Sequence, residues 1–266
     1  MLFALTMSRS GSPDEGVAAL LSFDCYLRIG ELTRLQHCDV VMPNDPRVGA
    51  AHTSMALRLA DTKTGLNQWV SIQHSAVTSV FLHYLHSRAF APADRVFAFT
   101  PARFRGHIRR VCVALGLGSI PYVPHSFRHG GATCDYLRGV TVEQIMFRGR
   151  WRSMESARRY IQTGRALLTT LDVAQHHNDA GATLASHLHP LMVHLIDLHH
   201  LVGALADPRR PRRRVTFAVS PVPSSTLTPS PSTTHPPSNH RSPPHPSRLA
   251  ESHSEGWLGA HRTLTE

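Results

Sequence analysis

Apolar residues near the start of the chain recur at helical spacing: Val17, Leu20, Leu21 and Leu27 share one face between residues 12 and 28. Ser12-Pro13-Asp14-Glu15 opens that run, with Ser12 as N-cap, Pro13 at the first helical position and Glu15 completing a capping box. Gly30 breaks the helix, and residues 29–35 predict another short helical turn. After a loop rich in Pro, Asn and Asp at residues 43–46, the period changes to two. Residues 54–59 and 69–72 alternate, and the polar cluster at residues 61–67 predicts a β-hairpin turn with Lys63 at its tip. A helix over 75–88 and a short buried strand over 96–99 follow. Thr100-Pro101 then starts a helix carrying Arg103, Arg105, Arg109 and Arg110 opposite Ile108, Val111 and Leu115, closed by Gly116 and Gly118.

Three helices come next in quick succession. One runs over 125–138 and is stopped by Gly139. One begins at the Thr141–Gln144 capping box and runs to about Arg148. One is capped by Ser153, carries Tyr160 and ends near Gly164. A longer helical stretch over 166–206 is expected to be interrupted near Gly181 and Pro190. Beyond Asp207 the segment holds more than half of the chain's 19 prolines, mixed with Ser, Thr, His and Arg. Too little apolar surface remains there to fold, which predicts a disordered tail over 207–266. The fold class implied is mainly α with a small antiparallel β-sheet.

Charge narrows the partners. The 266 residues carry a formal net charge of +10, which favours a polyanion: nucleic acid or an anionic membrane surface. Part of the excess lies in the tail block at residues 209–214, a weak pattern for nuclear import or nonspecific nucleic-acid contact. No amphipathic basic helix lies near it to favour a membrane. Residues 184–206 are apolar but contain Pro190, Asp197 and several histidines, which a membrane span does not tolerate. The first ten residues are too short and poorly flanked for a signal peptide. Cys25, Cys38, Cys112 and Cys134 form no CxxC pair and predict free thiols in a reducing compartment. The 20 histidines show no metal-ligand spacing.

The candidate chemistry is concentrated in PHSFRHGGATCDYLRGVTVEQIMFRGRWRSMESARRYIQ, residues 124–162. His125 and Arg128, three apart, share a helix face, and Tyr160 closes the stretch nine residues after Trp151. Together they fit a phosphodiester site, with Arg for phosphate oxygens, His for proton movement and Tyr as nucleophile. The same residues fit an amphipathic helical hairpin with surface arginines and a packed tyrosine, and spacing alone leaves both open. Arg28 sits at a helix end beside Glu31, whose carboxylate can hold the guanidinium.

Five separated pieces, LLSFDCYLRIGELTRL, TKTG in a hairpin turn, PHSFRHGGAT, RGRW and SARRYI, occur in the order and rough spacing of one family. Over residues 12–165 the chain resembles the catalytic domain of the tyrosine recombinases, or phage-integrase family. The resemblance implies a catalytic set of Arg28, Lys63, His125, Arg128, Trp151 and Tyr160, with Glu31 in support and no metal or other cofactor. Most members carry His where this chain has Trp151, and a minority carry Trp. The implied activity is site-specific DNA breakage and rejoining through a 3′-phosphotyrosine. The implied partners are double-stranded DNA, contacted also by Arg103, Arg105, Arg109 and Arg110, and other recombinase protomers on that DNA.

The resemblance divides the chain into a short extension (1–11), the catalytic domain (12–165), a C-terminal helical segment (166–206) and the tail. Members also carry an N-terminal helical domain that closes a clamp on DNA. Its counterpart is not seen in the short stretch ahead of the match, which suggests a fragment, a partial gene model or a decayed mobile element. The Arg-rich style suggests a eukaryotic mobile element and hence an intracellular, nuclear location. Two alternatives stay open: a swivelling topoisomerase of related chemistry, and an inactive DNA-binding remnant. In the family a C-terminal helix often docks on a neighbouring protomer, so residues 166–206, with their many leucines, are expected to pack poorly on their own domain.

Overall fold

The computed structural model describes residues 1–49, 53–63 and 65–206. The expected tail and its basic block, and Thr64 of the hairpin tip, lie outside the described residues. The chain is mainly helical with one small antiparallel sheet, as the pattern implied. In chain order the elements are α1 (Leu2–Arg9), α2 (Pro13–Asp24), α3 (Ile29–Leu32), β1 (Val40–Val41), β2 (Ala56–Thr62), β3 (Gly65–Ser71), α4 (Ser75–His86), α5 (Pro101–Ala114), α6 (Pro124–Leu137), α7 (Val142–Gly149), α8 (Met154–Arg158), α9 (Thr163–Asp172), α10 (Gln175–Ala185) and α11 (Leu188–Ala206).

Two hydrophobic clusters organise these elements. The larger joins α1, α2, α4, α5, α11 and the inner face of the sheet, with Met7, Leu21, Leu57, Phe81, Tyr84, Phe97, Phe104 and Met192 fully buried. The smaller consists of Tyr26, Ala132, Ile145, Trp151 and Ala157, and holds α6, α7 and α8 together. The sheet has order β1-β2-β3, with Val40 opposite Leu57 and Leu57 opposite Val70. All four cysteines are free; Cys25 and Cys112 are buried. Among the described residues no helix is long and apolar enough to cross a membrane.

Several local expectations change, each for a tertiary reason. Residues 2–9 form a helix whose Ala4, Leu5 and Met7 enter the main core, where only a short extension was expected. Ser12 is the N-cap of α2, but its side chain makes no capping bond, and the Glu15 side chain that was to complete the box is buried and drawn instead to His107 and Arg103 of α5. The capping box at Thr141 and Gln144 and the Ser153 cap both form. The hairpin strands run further than their alternation suggested, leaving Lys63 at a tight tip. Residues 96–99 are not a strand: Val96 N–H bonds to Leu35 at 2.9 Å, and Val96, Phe97 and Phe99 are buried as an irregular segment.

The C-terminal helices also depart from expectation. Their breaks fall at residues 173–174 and 186–187, while Gly181 lies inside α10 and Pro190 in the first turn of α11, where a missing N–H costs no bond. Leu188, Met192 and Ile196 of α11 are buried against the chain's own core, so this helix docks on its own domain. The exposed apolar character expected of the whole segment is kept by α9, where Leu167, Leu168 and Leu171 are 65%, 64% and 82% exposed, and by the end of α11, where Leu198, Leu201 and Leu205 are exposed.

Candidate active site

The first arginine is placed by an irregular turn. α2 ends at Asp24, and Tyr26 adopts a left-handed backbone (φ 50°) that swings Arg28 to the start of α3. There Glu31, buried, turns back: one carboxylate oxygen accepts the Arg28 backbone N–H at 2.8 Å and the other accepts Arg28 Nη1 at 2.7 Å. Burial pushes the Glu31 carboxyl up. The Arg150 charge, followed by the Arg28 hydrogen bonds, outweighs that and holds it below the usual carboxylate range. Arg28 keeps 22% of its side chain exposed.

Arg28, Arg34, Lys63, Arg105 and His125 line one open cleft of about 540 Å³. Lys63 reaches it from the hairpin tip and Arg105 from α5. Glu31 is its acidic lining residue, so the cleft is strongly cationic. The arginines of α5 do not act as one face. Arg105 and Arg109, four apart, share a stripe with the cleft side. Arg103 lies on the other flank and pairs with Glu15 at 2.9 Å, so it ties α5 to α2 where a DNA contact was expected. Arg109 and Arg110 are exposed.

The second group adjoins the cleft through His125. His125 packs on Tyr160 with ring centroids 5.2 Å apart, and His129 stacks on the same tyrosine at 4.5 Å. Trp151 lies 4.6 Å from Tyr160 on centroids. The Arg128 guanidinium carbon sits 4.5 Å from the Trp151 ring centre and 5.2 Å from that of Tyr160, within cation–π reach of both rings. Trp151 can fold back because residue 149 is glycine; a Cβ there would overlap its ring.

Arg128 departs from the expected open phosphate fork. It is fully buried, its Nη1 donates to the Tyr26 carbonyl, and its Nη2 donates to the Gly149 carbonyl at 2.6 Å. Burial, then the charges of Arg28 and Arg150, lower its pKa to about 9, so it remains cationic at neutral pH. Its Nε and the Trp151 indole N–H are buried without a hydrogen-bond partner among the described residues. Partial shelter, then His129, Arg128 and Arg28, push His125 down to about 4, so the imidazole is neutral at pH 7.

Tyr160 lies in a turn after α8, where a continuing helix was expected. The reason is tertiary. Thr133 Oγ1 donates to the Tyr160 carbonyl at 3.2 Å and accepts the Gln162 N–H at 3.0 Å, and His129 Nδ1 lies 3.3 Å from the same carbonyl. These groups occupy backbone positions that a continuous helix needs. Four contributors were not singled out from sequence: Tyr26, His129, Thr133 and Arg150. His129 carried a signal, lying next to Arg128 and four residues after His125. Arg150 stood inside the RGRW piece, with nothing in the spacing to mark it as buried.

No protein-family model and no curated protein sequence matches the chain. Among solved structures, the site-specific recombinase XerH, crystallised with its difH substrate as a pre-cleavage complex, is similar at a TM-score of 0.46 and 15% identity over 60% of this chain. This chain spans about half the length of that recombinase, covering 47% of it. A separate apolar cavity of about 90 Å³, lined by residues of α1, α2 and α6, contains none of the candidate catalytic residues.

Proposed function

We propose that this chain breaks and rejoins DNA through a covalent 3′-phosphotyrosine at Tyr160. The observation that carries the reading is convergence. Arg28, Lys63, Trp151 and Tyr160 come from four separate segments, His125 and Arg128 from α6, and all gather at one cationic cleft and the aromatic cluster beside it. The Tyr160 oxygen attacks phosphorus, forming the P–O(Tyr) bond as the P–O5′ bond breaks. Neutral His125 takes the tyrosine proton, and Lys63 protonates the leaving 5′-oxygen. Attack by a 5′-hydroxyl on the phosphotyrosine reverses the step and conserves the bond energy.

The two arginines divide the task of stabilising the transition state. Arg28, with an exposed edge, contacts the nonbridging oxygens directly. Arg128 acts as a fixed charge behind Trp151 and Tyr160, because two of its donors are held by carbonyls. The Trp151 indole N–H is a spare donor whose burial without a partner costs about 1–3 kcal/mol, which a phosphate oxygen would relieve. Losing one preorganised donor in such a site costs about 3–4 kcal/mol of transition-state stabilisation. Recombination, with several protomers meeting on DNA through the exposed leucines of α9, is the form of the reaction that we favour.

The occupied donors of Arg128 favour a second reading, DNA binding without cleavage. One experiment separates the two. The full chain is incubated with a pool of nicked duplexes of randomised sequence, denatured in detergent and examined for protein–DNA adducts. Cleavage predicts an adduct that Tyr160→Phe abolishes and Arg28→Ala reduces at least a hundredfold. Duplex binding with no adduct from the unaltered chain would establish the second reading.

A further inference from the structure

We infer that Arg150 is a positioning residue for Arg28, acting through the shared Glu31 carboxylate to fix the Arg28 guanidinium and to leave it net charge for a phosphate. The inference rests on the reading of the cleft as a phosphate site.

Position 150 is an unfavourable place for an arginine on two counts. It is the C-cap of α7, with a left-handed backbone (φ 57°, ψ 38°) where glycine or asparagine is preferred. Its side chain is also buried, which penalises a charge. Both costs are accepted where the side chain makes contacts that a capping glycine cannot. Arg150 Nη2 donates to Glu31 Oε2 at 3.0 Å, and Nη1 donates to the Arg148 carbonyl at 3.2 Å. The same Glu31 oxygen accepts the Arg28 backbone N–H, while the other oxygen accepts the Arg28 side chain. One buried carboxylate therefore joins the α3 side of the site to the turn that precedes Trp151.

Charge accounting gives the arrangement its consequence. Arg28, Glu31 and Arg150 together carry one net positive charge. Without Arg150, Glu31 and Arg28 form a neutral pair, and a phosphate must compete with Glu31 for the Arg28 donors. Arg150 is also the largest favourable influence holding the Glu31 carboxyl ionised. Arg150 itself is buried beneath the residues that meet a ligand, so its influence passes through Glu31.

The test is a double-mutant cycle on the full chain, with dithymidine monophosphate as probe and the His125 ring resonances as the local readout of binding by NMR. We expect Arg150→Gly to weaken the probe about five- to tenfold when Arg28 is present, and by less than about twofold in the Arg28→Ala background. Arg150→Lys, which restores the charge, should recover part of the loss. Thermal unfolding checks that each variant is folded; if Arg150→Gly is not, Arg150→Gln takes its place in the cycle with the same ratios expected. Equal losses in both backgrounds, or no loss in either, overturn the proposal. If Arg28→Ala leaves probe binding unchanged, the cleft reading fails and this inference fails with it. If the probe cycle behaves as expected but no covalent adduct forms on DNA, only the Tyr160 chemistry fails.

Discussion

Adjacent glycines in α6 should respond to alanine with opposite signs. Gly130 and Gly131 follow Arg128 and His129 in the helix that carries His125 and Arg128 of the candidate site. Alanine gains about 1 kcal/mol of helix propensity at either position. At Gly131 a Cβ would overlap the Phe23 backbone carbonyl and come within 2.8 Å of the Tyr26 ring. A backbone carbonyl cannot step aside, and Tyr26 is tied to Asp135 through its hydroxyl and to Arg128 through its carbonyl. Overpacking against such partners costs about 3 kcal/mol. The net expectation for Gly131→Ala is a loss of about 2 kcal/mol, or about 4–8 °C in Tm for a domain of this size. At Gly130 the Cβ meets only the Phe23 ring edge, at 3.1 and 3.5 Å, and a ring can give by a few tenths of an ångström. Gly130→Ala should be neutral or stabilising by up to about 1 kcal/mol. Urea unfolding of both variants, followed by tryptophan fluorescence, measures the difference. A Gly131→Ala chain as stable as the unaltered one would refute the close approach of α2 and α6 on which the placement of Arg128 against Tyr26 rests.

Two further outcomes follow from the geometry. Met192→Ala should cost about 2–5 kcal/mol by calorimetry, independent of protein concentration, because Met192 is fully buried in the chain's own core; a concentration-dependent loss would mean that α11 docks between chains. His125 has a folded pKa near 4, well below its unfolded value near 6.5, so between these values the unfolded chain holds more protons. Its contribution to stability is therefore present above about pH 6.5 and lost as pH falls toward 4, and His125→Gln should flatten that part of the stability profile; NMR titration of the ring near 6.5 would contradict the assignment.

The helices and the hairpin were legible because their signals are local. The apolar period over residues 12–28, the Thr141–Gln144 box, and the alternation on either side of Lys63 each depend on neighbours a few residues apart. The identity of the candidate site residues was legible for a related reason: His125, Arg128, Trp151 and Tyr160 lie within one stretch, and Arg28 and Lys63 occur in pieces with a recognisable order. Tertiary contacts decided how those residues are used. Whether Arg128 is an open fork or a buried charge depends on the Tyr26 and Gly149 carbonyls, which are far from it in sequence. The helix carrying Tyr160 stops early because Thr133 and His129, on another helix, bond to its turn. The leucines of residues 166–206 look alike in sequence, yet those of α9 face solvent while Leu188 of α11 is buried beside Met192. Periodicity specifies that a residue lies on an apolar or polar face. Which group stands opposite that face, and therefore whether a charge is free, paired or buried, is set only when distant segments pack.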